Sequence, residues 1–291
     1  MATPAQWFHG ARPRTLPAAV APVLIGTGAA AAIDAADPVR ALLALLVALA
    51  LQVGVNYAND YSDGIRGTDD EGKRVGPVRL VGQRLAAPRQ VKLAAFACFG
   101  FAAAAGLLLV VLSGAWLMLA LGVASIVAAW FYTGGSRPYG YLGLGEVFVF
   151  VFFGLVATLG TTYTQALTLT TAAWAGAVGV GALSCAILMA NNLRDIPGDT
   201  LVGKRTLAVR LGDAGARRAY LALLAVAAGC VLVAALSHPA ALLALLGFAV
   251  AIRGVRAIRA GAQGPALIPV LAGTGMLTLV YALLLSLGLT L

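Results

Sequence analysis

Residues 52–79, QVGVNYANDYSDGIRGTDDEGKRVGPVR, follow an apolar run and contain five acidic and four basic side chains. Asp60 and Asp63 are three positions apart, so they share one face if they stand at a helix end, with Asn56 one turn earlier on the same side. Two carboxylates held close together repel each other unless a cation lies between them. Mg²⁺ binds a few carboxylates and keeps water or phosphate oxygens in its shell. This stretch therefore predicts a metal-bridged diphosphate site at a membrane surface.

The composition indicates a membrane protein. Of the 291 residues, 61% are hydrophobic and 11% are charged, whereas a soluble domain carries about 25% charged residues. The three cysteines lie inside apolar runs without metal-ligand spacing, which favours a packing role. The net charge of +9 comes from Lys and Arg beside the apolar runs, so nucleic-acid binding is not expected.

The apolar runs predict the fold class. A run of about 20 residues is long enough for a helix to span the hydrocarbon core. The chain is therefore expected to be an all-α polytopic membrane protein with about nine transmembrane helices, forming a single membrane-embedded domain over residues 1–291. The predicted helices cover residues 16–33, 39–58, 91–113, 115–133, 142–162, 171–192, 215–236, 239–257 and 266–289.

The basic residues predict the orientation. If the N-terminus lies inside, the inner connections contain every Lys and Arg except Arg40. Connections rich in these residues tend to remain in the cytoplasm. We therefore expect the N-terminus and the acidic segments on the cytoplasmic side of the cell membrane, and the C-terminus outside.

A second polar segment resembles the first. Residues 191–206, NNLRDIPGDTLVGKRT, close the sixth predicted helix with an Asn-x3-Asp-x3-Asp pattern, while the second predicted helix ends with Asn-x3-Asp-x2-Asp. A Gly-Lys-Arg triplet follows each pattern. The regions 52–79 and 185–212 are therefore interpreted as two half-sites that face each other across a helical bundle.

Each half-site is expected to bind one Mg²⁺, with the two ions holding a diphosphate between them. The candidate metal ligands are the carboxylates and amides of Asp60, Asp63, Asp195, Asp199, Asn56, Asn191 and Asp69. The candidate diphosphate ligands are the cations and amides of Lys73, Arg74, Arg137, Lys204, Arg205, Asn59 and Asn192. The alternative is that these are ordinary polar residues above the spans, but acids at the membrane interface are costly and indicate function.

A third inner segment, WFYTGGSRPYGYLGLGE at residues 130–146, supplies aromatic residues. Tyr132, Tyr139 and Tyr141 are candidates to line a pocket for an aromatic substrate, with Arg137 binding a phosphate or a carboxylate. An interfacial aromatic belt with a Gly-rich turn is an equal alternative. Arg12 and Arg14, before the first span, are interpreted as positive-inside anchors.

Together these segments resemble the UbiA superfamily of intramembrane prenyltransferases, which carry an NDxxD-type motif after the second helix and a DxxxD motif after the sixth. The resemblance is closest to the menaquinone branch and rests on residues 12–27, 52–70, 74–81, 137–150 and 191–212. The C-terminal third matches only in its hydropathy. Where superfamily members have a third acid in the first motif, this chain has Gly67, so either Asp69 or Asp70 completes the first metal site.

The resemblance implies nine helices around a central cavity that opens to the bilayer and is capped by the two Asp-rich loops. It implies Mg²⁺-dependent transfer of a polyprenyl group from polyprenyl diphosphate to 1,4-dihydroxy-2-naphthoate, with loss of CO₂ and diphosphate, giving demethylmenaquinone. The residues it makes catalytic are Asp60, Asp63, Asp195, Asp199 and Lys204, and those it places at the aromatic acceptor are Arg137, Tyr139 and Tyr132.

Other functions fit the sequence less well. CDP-alcohol phosphotransferases share clustered aspartates, but residues 65–67 break their motif. Transporters bind their substrates near the bilayer midplane, whereas the acids here stand at helix ends. Within the prenyltransferases, 4-hydroxybenzoate or homogentisate remain alternative acceptors.

Overall fold

The computed structural model describes residues 2–67 and 78–291, and within these ranges every regular element is a helix. We number the helices in chain order. They are α1 (Pro4–Gly10), α2 (Pro17–Ala31), α3 (Pro38–Ile65), α4 (Pro88–Ser113), α5 (Leu117–Phe131), α6 (Gly145–Ala166), α7 (Thr171–Leu201), α8 (Leu207–Ala235), α9 (Pro239–Arg259) and α10 (Gly264–Thr290).

The all-α membrane fold is confirmed. Among the described residues, seven helices, α3, α4 and α6 to α10, are long and apolar enough to cross a membrane. The other two predicted spans coincide with α2 and α5, which are apolar but have only 15 residues each. That these two also cross the membrane stays a prediction. Helix α1 was not predicted; Thr3 caps its first turn.

Helix α7 is the centre of the bundle. In its apolar window 83% of the residues are buried inside the protein, against 22% for α3. Its first turn is fixed by Thr170, whose hydroxyl accepts the N–H of Ala173. Since α7 also carries the second acidic pattern, the most buried helix of the fold ends at the candidate site.

The helices α3 and α7 are longer than predicted, which corrects the picture of two Asp-rich loops. Helix α3 continues to Ile65 and α7 to Leu201, whereas the predicted spans ended at residues 58 and 192. A search for apolar runs stops where polar residues begin. The acidic residues of both motifs that the structure describes therefore stand on helical turns, which hold them more rigidly than loops would.

Helix α6 approaches α7 through glycines. A Cβ atom built on Gly154 would lie 2.6 Å from the Cα of Gly181. Small residues allow helix backbones to approach closely in membranes. The stretch Phe150–Val156 of α6 is π-helical, a local change of helix geometry that occurs frequently at functional sites.

The two ends of the bundle are held by different contacts. At one end, the last turns of α3 contact residues 11–15 and 132–142, and the backbone N–H of Arg205, just after α7, donates to the carbonyl of Tyr141; we call this the acidic end. At the opposite end, the guanidinium of Arg40 donates to the carbonyl oxygens of Leu112, Thr164 and Gln165. The predicted inner connections named here therefore gather at one end.

Candidate functional site at the acidic end

A cavity of about 1120 Å³ extends from the acidic end into the bundle. Its deeper wall is apolar and comes from α2 to α6, with residues such as Val47, Leu109 and Val156. Its mouth is polar, and includes Asp63, Arg194 and Lys204. The cavity can therefore hold a molecule with an anionic head and a long apolar tail.

The first acidic pattern presents side chains with different partners. Asp63 is buried and its Oδ1 accepts a hydrogen bond from the hydroxyl of Tyr141 at 2.6 Å. The Oδ1 of Asn59 accepts from the hydroxyl of Thr133 at 2.8 Å. Both Asp63 and Asn59 line the cavity, as the predicted site requires.

Asn56 also lines the cavity. Its amide nitrogen donates to the carbonyl of Ala11 at 2.8 Å and to the hydroxyl of Thr15 at 3.1 Å. These bonds orient the amide and leave its oxygen as the atom for a cation. Such an oxygen is a ligand that hard divalent cations accept.

Asp60 has a different environment. Its two oxygens accept the backbone N–H groups of Leu80, at 2.7 Å, and Val81, at 3.0 Å. Only 1% of Asp60 is exposed, and it is not among the cavity-lining residues. Asp60 therefore anchors the returning chain to α3, and its role as a metal ligand stays a prediction.

The second acidic pattern is already paired with cations. The guanidinium of Arg194 binds both carboxylate oxygens of Asp195, at 2.7 and 2.8 Å, and the amide oxygen of Asn191 at 2.8 Å. The ammonium of Lys204 lies 3.8 Å from Oδ1 of Asp199. Arg194 and Lys204 line the cavity while the two aspartates lie behind them.

Asn192 lines the cavity next to a buried carboxylate. Its amide nitrogen donates to Oε1 of Glu146 at 3.1 Å. Glu146 is 7% exposed and belongs to the first turn of α6. The third inner segment thus contacts the second acidic pattern through the hydrogen bond between Glu146 and Asn192.

The aromatic candidates form part of a ladder along the cavity. The ring of Tyr139 meets that of Tyr132 edge to face at 5.5 Å and stacks on Phe148 at 3.8 Å, and Phe148 is followed by Phe152 at 6.1 Å. All four line the cavity. Burial raises the pKa of Tyr139 above the usual tyrosine range, so its phenol remains a neutral donor.

Some predicted ligands are not brought to the cavity. Arg137 and Arg205 are exposed and neither lines the cavity. Lys73, Arg74, Asp69 and Asp70 lie outside the described residues, so the choice between Asp69 and Asp70 stays open. Within residues 2–67 and 78–291, no three His, Cys, Asp or Glu side chains are grouped to hold a metal ion.

The structure places further arginines at the cavity, including two that the sequence indicated as membrane anchors. Arg12, interpreted as a membrane anchor, lines the cavity and has a left-handed backbone with φ of 56°. Arg14 and Arg79 line it too. In the sequence, a positive-inside anchor and an active-site cation both appear as a basic residue beside a span. The left-handed backbone at Arg12 and its place in the cavity wall are visible only in the structure.

The profile of the UbiA prenyltransferase family matches residues 19–264. The chain belongs to this family. A protein of Mycobacterium tuberculosis named 1,4-dihydroxy-2-naphthoate octaprenyltransferase is 58% identical over 283 residues, covering 97% of this chain and 96% of that protein. A protein of the same name from Escherichia coli is 43% identical, covering 75% of this chain and 72% of that protein.

The UbiA fold is also found in solved structures. A UbiA homolog from Aeropyrum pernix K1 has a TM-score of 0.68 at 17% identity, covering 89% of this chain and 94% of that one. A UbiA homolog from Archaeoglobus fulgidus, bound to GPP and Mg²⁺, has a TM-score of 0.69 at 12% identity and covers 98% and 99% of the two chains. At these identities the likeness establishes the fold.

Proposed function

We propose that this UbiA-family protein transfers the polyprenyl group of a polyprenyl diphosphate to 1,4-dihydroxy-2-naphthoate. The principal support is the 58% identity, over nearly the whole length of both chains, to a relative named for this acceptor. The cavity agrees with the donor, because cations surround its mouth and apolar residues form its depth. The ring carbon that bears the carboxylate bonds to the prenyl carbon, diphosphate and CO₂ leave, and the product is the hydroquinone of demethylmenaquinone.

The donor set at the mouth fits Mg²⁺. Asp63 supplies a carboxylate on the cavity wall, and a diphosphate supplies further oxygens. Asn56 stands two turns before Asp63, about 10 Å along α3, so its amide oxygen would reach the same ion through a water or a phosphate oxygen. We assign the second ion to Asp195 and Asp199, which gives two ions in all. Bound Mg²⁺ would neutralise the charge that develops on the leaving diphosphate.

The chain's own cations act on the same charge. Arg12, Arg79, Arg194 and Lys204 line the mouth, where fixed positive charges stabilise a departing anion without reorganisation of solvent. Release of Arg194 from Asp195, or of Lys204 from Asp199, would let these cations bind phosphate oxygens. Such an exchange of partners would explain why Arg194 and Lys204 are paired with aspartates at a site that binds an anion.

The apolar wall next to the mouth protects the allylic carbon, which is bonded to the diphosphate. Apolar side chains exclude water that would otherwise capture a cationic carbon. The ladder of Tyr139, Phe148 and Phe152 presents ring surfaces on the same wall, and ring faces attract cations. The ladder also offers a surface on which the flat acceptor can stack, with Tyr132 as a hydrogen-bond donor.

The charges support the orientation. We place the acidic end at the cytoplasmic face and the C-terminus outside, because every Lys and Arg except Arg40 lies in predicted inner segments. Residues 1–291 would form one domain in the cell membrane, with the lipid bilayer as the source of the donor.

A direct assay tests the function. Purified protein is incubated with Mg²⁺, a polyprenyl diphosphate and each acceptor in turn: 1,4-dihydroxy-2-naphthoate, 4-hydroxybenzoate and homogentisate. We expect prenylation of the naphthoate with release of CO₂. Prenylation of 4-hydroxybenzoate or homogentisate alone would overturn the proposed acceptor while leaving the family unchanged.

A further inference from the structure

Tyr141 stands between the two acidic patterns although it belongs to neither. It lies in a short 3₁₀ turn, Tyr139–Leu142, between α5 and α6. The sequence suggested that it faces an aromatic substrate. In the structure it is not among the cavity-lining residues, and its contacts run to the polar side chains of the mouth.

Its hydroxyl serves the first acidic pattern. The phenol donates to Oδ1 of Asp63 at 2.6 Å, a short bond of the kind that a charged acceptor makes. A carboxylate with one oxygen held in this way presents its other oxygen in a fixed direction. Hydrogen bonds to the outer side of a metal ligand set its orientation in many sites.

Its ring and backbone contact the second acidic pattern, and the guanidinium carbon of Arg66, just after α3, lies 5.7 Å from the centre of the same ring. The Lys204 ammonium lies 4.9 Å from the centre of the Tyr141 ring, within the range of a cation–π contact. The carbonyl of Tyr141 accepts the backbone N–H of Arg205 at 3.0 Å. Lys204 in turn faces Asp199 at 3.8 Å, so a single ring separates the two half-sites.

We propose that Tyr141 is a positioning residue that holds the two half-sites at one spacing, orienting Asp63 for the metal and Lys204 for the diphosphate. The inference rests on the proposed metal and diphosphate site, and it assigns separate roles to the hydroxyl and the ring of Tyr141. The hydroxyl governs metal binding, and the ring governs the cation that meets the phosphate.

Two substitutions separate these roles. Tyr141→Phe removes the hydroxyl and keeps the ring, whereas Tyr141→Leu removes both. Tyr220→Phe is the matched control, because its hydroxyl also makes a side-chain hydrogen bond, to Thr274 at 2.8 Å, but lies between α8 and α10 and does not line the cavity.

Metal binding is measured without turnover. Purified protein is titrated with Mn²⁺ in the presence of inorganic diphosphate, and free Mn²⁺ is followed by electron paramagnetic resonance. We expect Tyr141→Phe to weaken Mn²⁺ binding about ten-fold or more, the usual effect of losing an outer hydrogen bond to a metal ligand. The Tyr220→Phe control should bind as the wild type does.

Kinetics then test the ring. At saturating Mg²⁺ the KM for polyprenyl diphosphate should change less than about two-fold in Tyr141→Phe and rise about ten-fold in Tyr141→Leu, the size of one cation–π contact near a desolvated charge. Thermal unfolding of each variant checks that it is folded. If Tyr141→Leu is unfolded, the Mn²⁺ titration of Tyr141→Phe decides alone.

The outcomes are distinct. Wild-type Mn²⁺ affinity in Tyr141→Phe would overturn the inference and leave the function intact. If the wild type itself bound no Mn²⁺ with diphosphate, or if Asp63→Asn bound Mn²⁺ as well as the wild type, the proposed metal site would be wrong instead.

Discussion

Among single residues, Asp60 and Asp63 have the same chemistry and the same helical face, and a sequence cannot tell them apart. The structure separates them because the chain returns to α3 after the first motif. The N–H groups of Leu80 and Val81 occupy the oxygens of Asp60, while Asp63 faces the cavity and Tyr141. Asp60 therefore holds the returning chain, whereas Asp63 is directed to the cavity.

Asparagine substitutions should reveal this difference. Asp63→Asn keeps an oxygen for the Tyr141 hydroxyl but loses the charge, so prenyl transfer should fall about 100-fold or more with little change in Tm. Asp60→Asn places an NH₂ group against a backbone N–H, which should lower the unfolding free energy by about 1–3 kcal/mol.

Thermal unfolding in detergent and the prenyl-transfer rate check both variants. If the two variants lost the same stability and the same activity, the assignment of Asp60 to the returning chain would be wrong. Asp195→Asn can be compared in the same assays as a candidate of the second half-site.

Arginines show why the rest of the site could not be predicted. The sequence favoured Arg12 as a positive-inside anchor and Arg137 as a ligand of the diphosphate or the aromatic acceptor. The backbone turn at Arg12 brings this residue into the cavity wall, while Arg137 is exposed. Sequence spacing predicted Asp63 and Lys204 as site residues, and both line the cavity, but which distant cations join them depends on the fold.

At the scale of helices, hydrophobic runs predicted each of the seven described helices that are long and apolar enough to cross a membrane, because hydropathy is a local property of sequence. What they missed is the continuation of α3 and α7 past the apolar region, and the π-helical stretch in α6. Neither is visible to a search for apolar runs, which stops where polar residues begin. The close contact of Gly154 with Gly181 keeps α6 against the most buried helix of the bundle.

Alanine at Gly154 should therefore be destabilising. Its Cβ would lie 2.6 Å from the Cα of Gly181 and 2.9 Å from the carbonyl oxygen of Ala177, and overpacking costs about 1–3 kcal/mol. Gly100→Ala, in α4, is the matched control because a Cβ there meets nothing within 4 Å. We expect a lower Tm for Gly154→Ala only; equal Tm values would contradict this view of the α6–α7 contact.

For the molecule as a whole, the cavity sets what can be bound. Its charged mouth and apolar depth are assembled from many helices, so neither is visible in any one segment. Gly122 of α5 lines the cavity about ten residues from Tyr132, or about 15 Å along the helix. A Cβ at Gly122 meets nothing within 4 Å, which leaves room there for a tail.

Tryptophan at Gly122 should shorten the accepted donor. The indole would fill the path of the tail, so turnover of a long polyprenyl diphosphate should fall about ten-fold or more while geranyl diphosphate, which ends before this depth, is still used. This loss corresponds to roughly 1.4 kcal/mol of excluded tail contacts. Gly100→Trp, away from the cavity, controls for bulk; equal loss with both donors would contradict the prediction.

The apolar cavity wall includes Leu107 and Val123, which are themselves exposed at the protein surface. Donor and product therefore exchange with a two-dimensional solvent, and the relevant concentration is a mole fraction in that solvent. Adding inert detergent at constant bulk donor should slow the reaction, although nothing in the aqueous phase has changed. Rates that followed bulk molarity instead would indicate that the donor arrives from water.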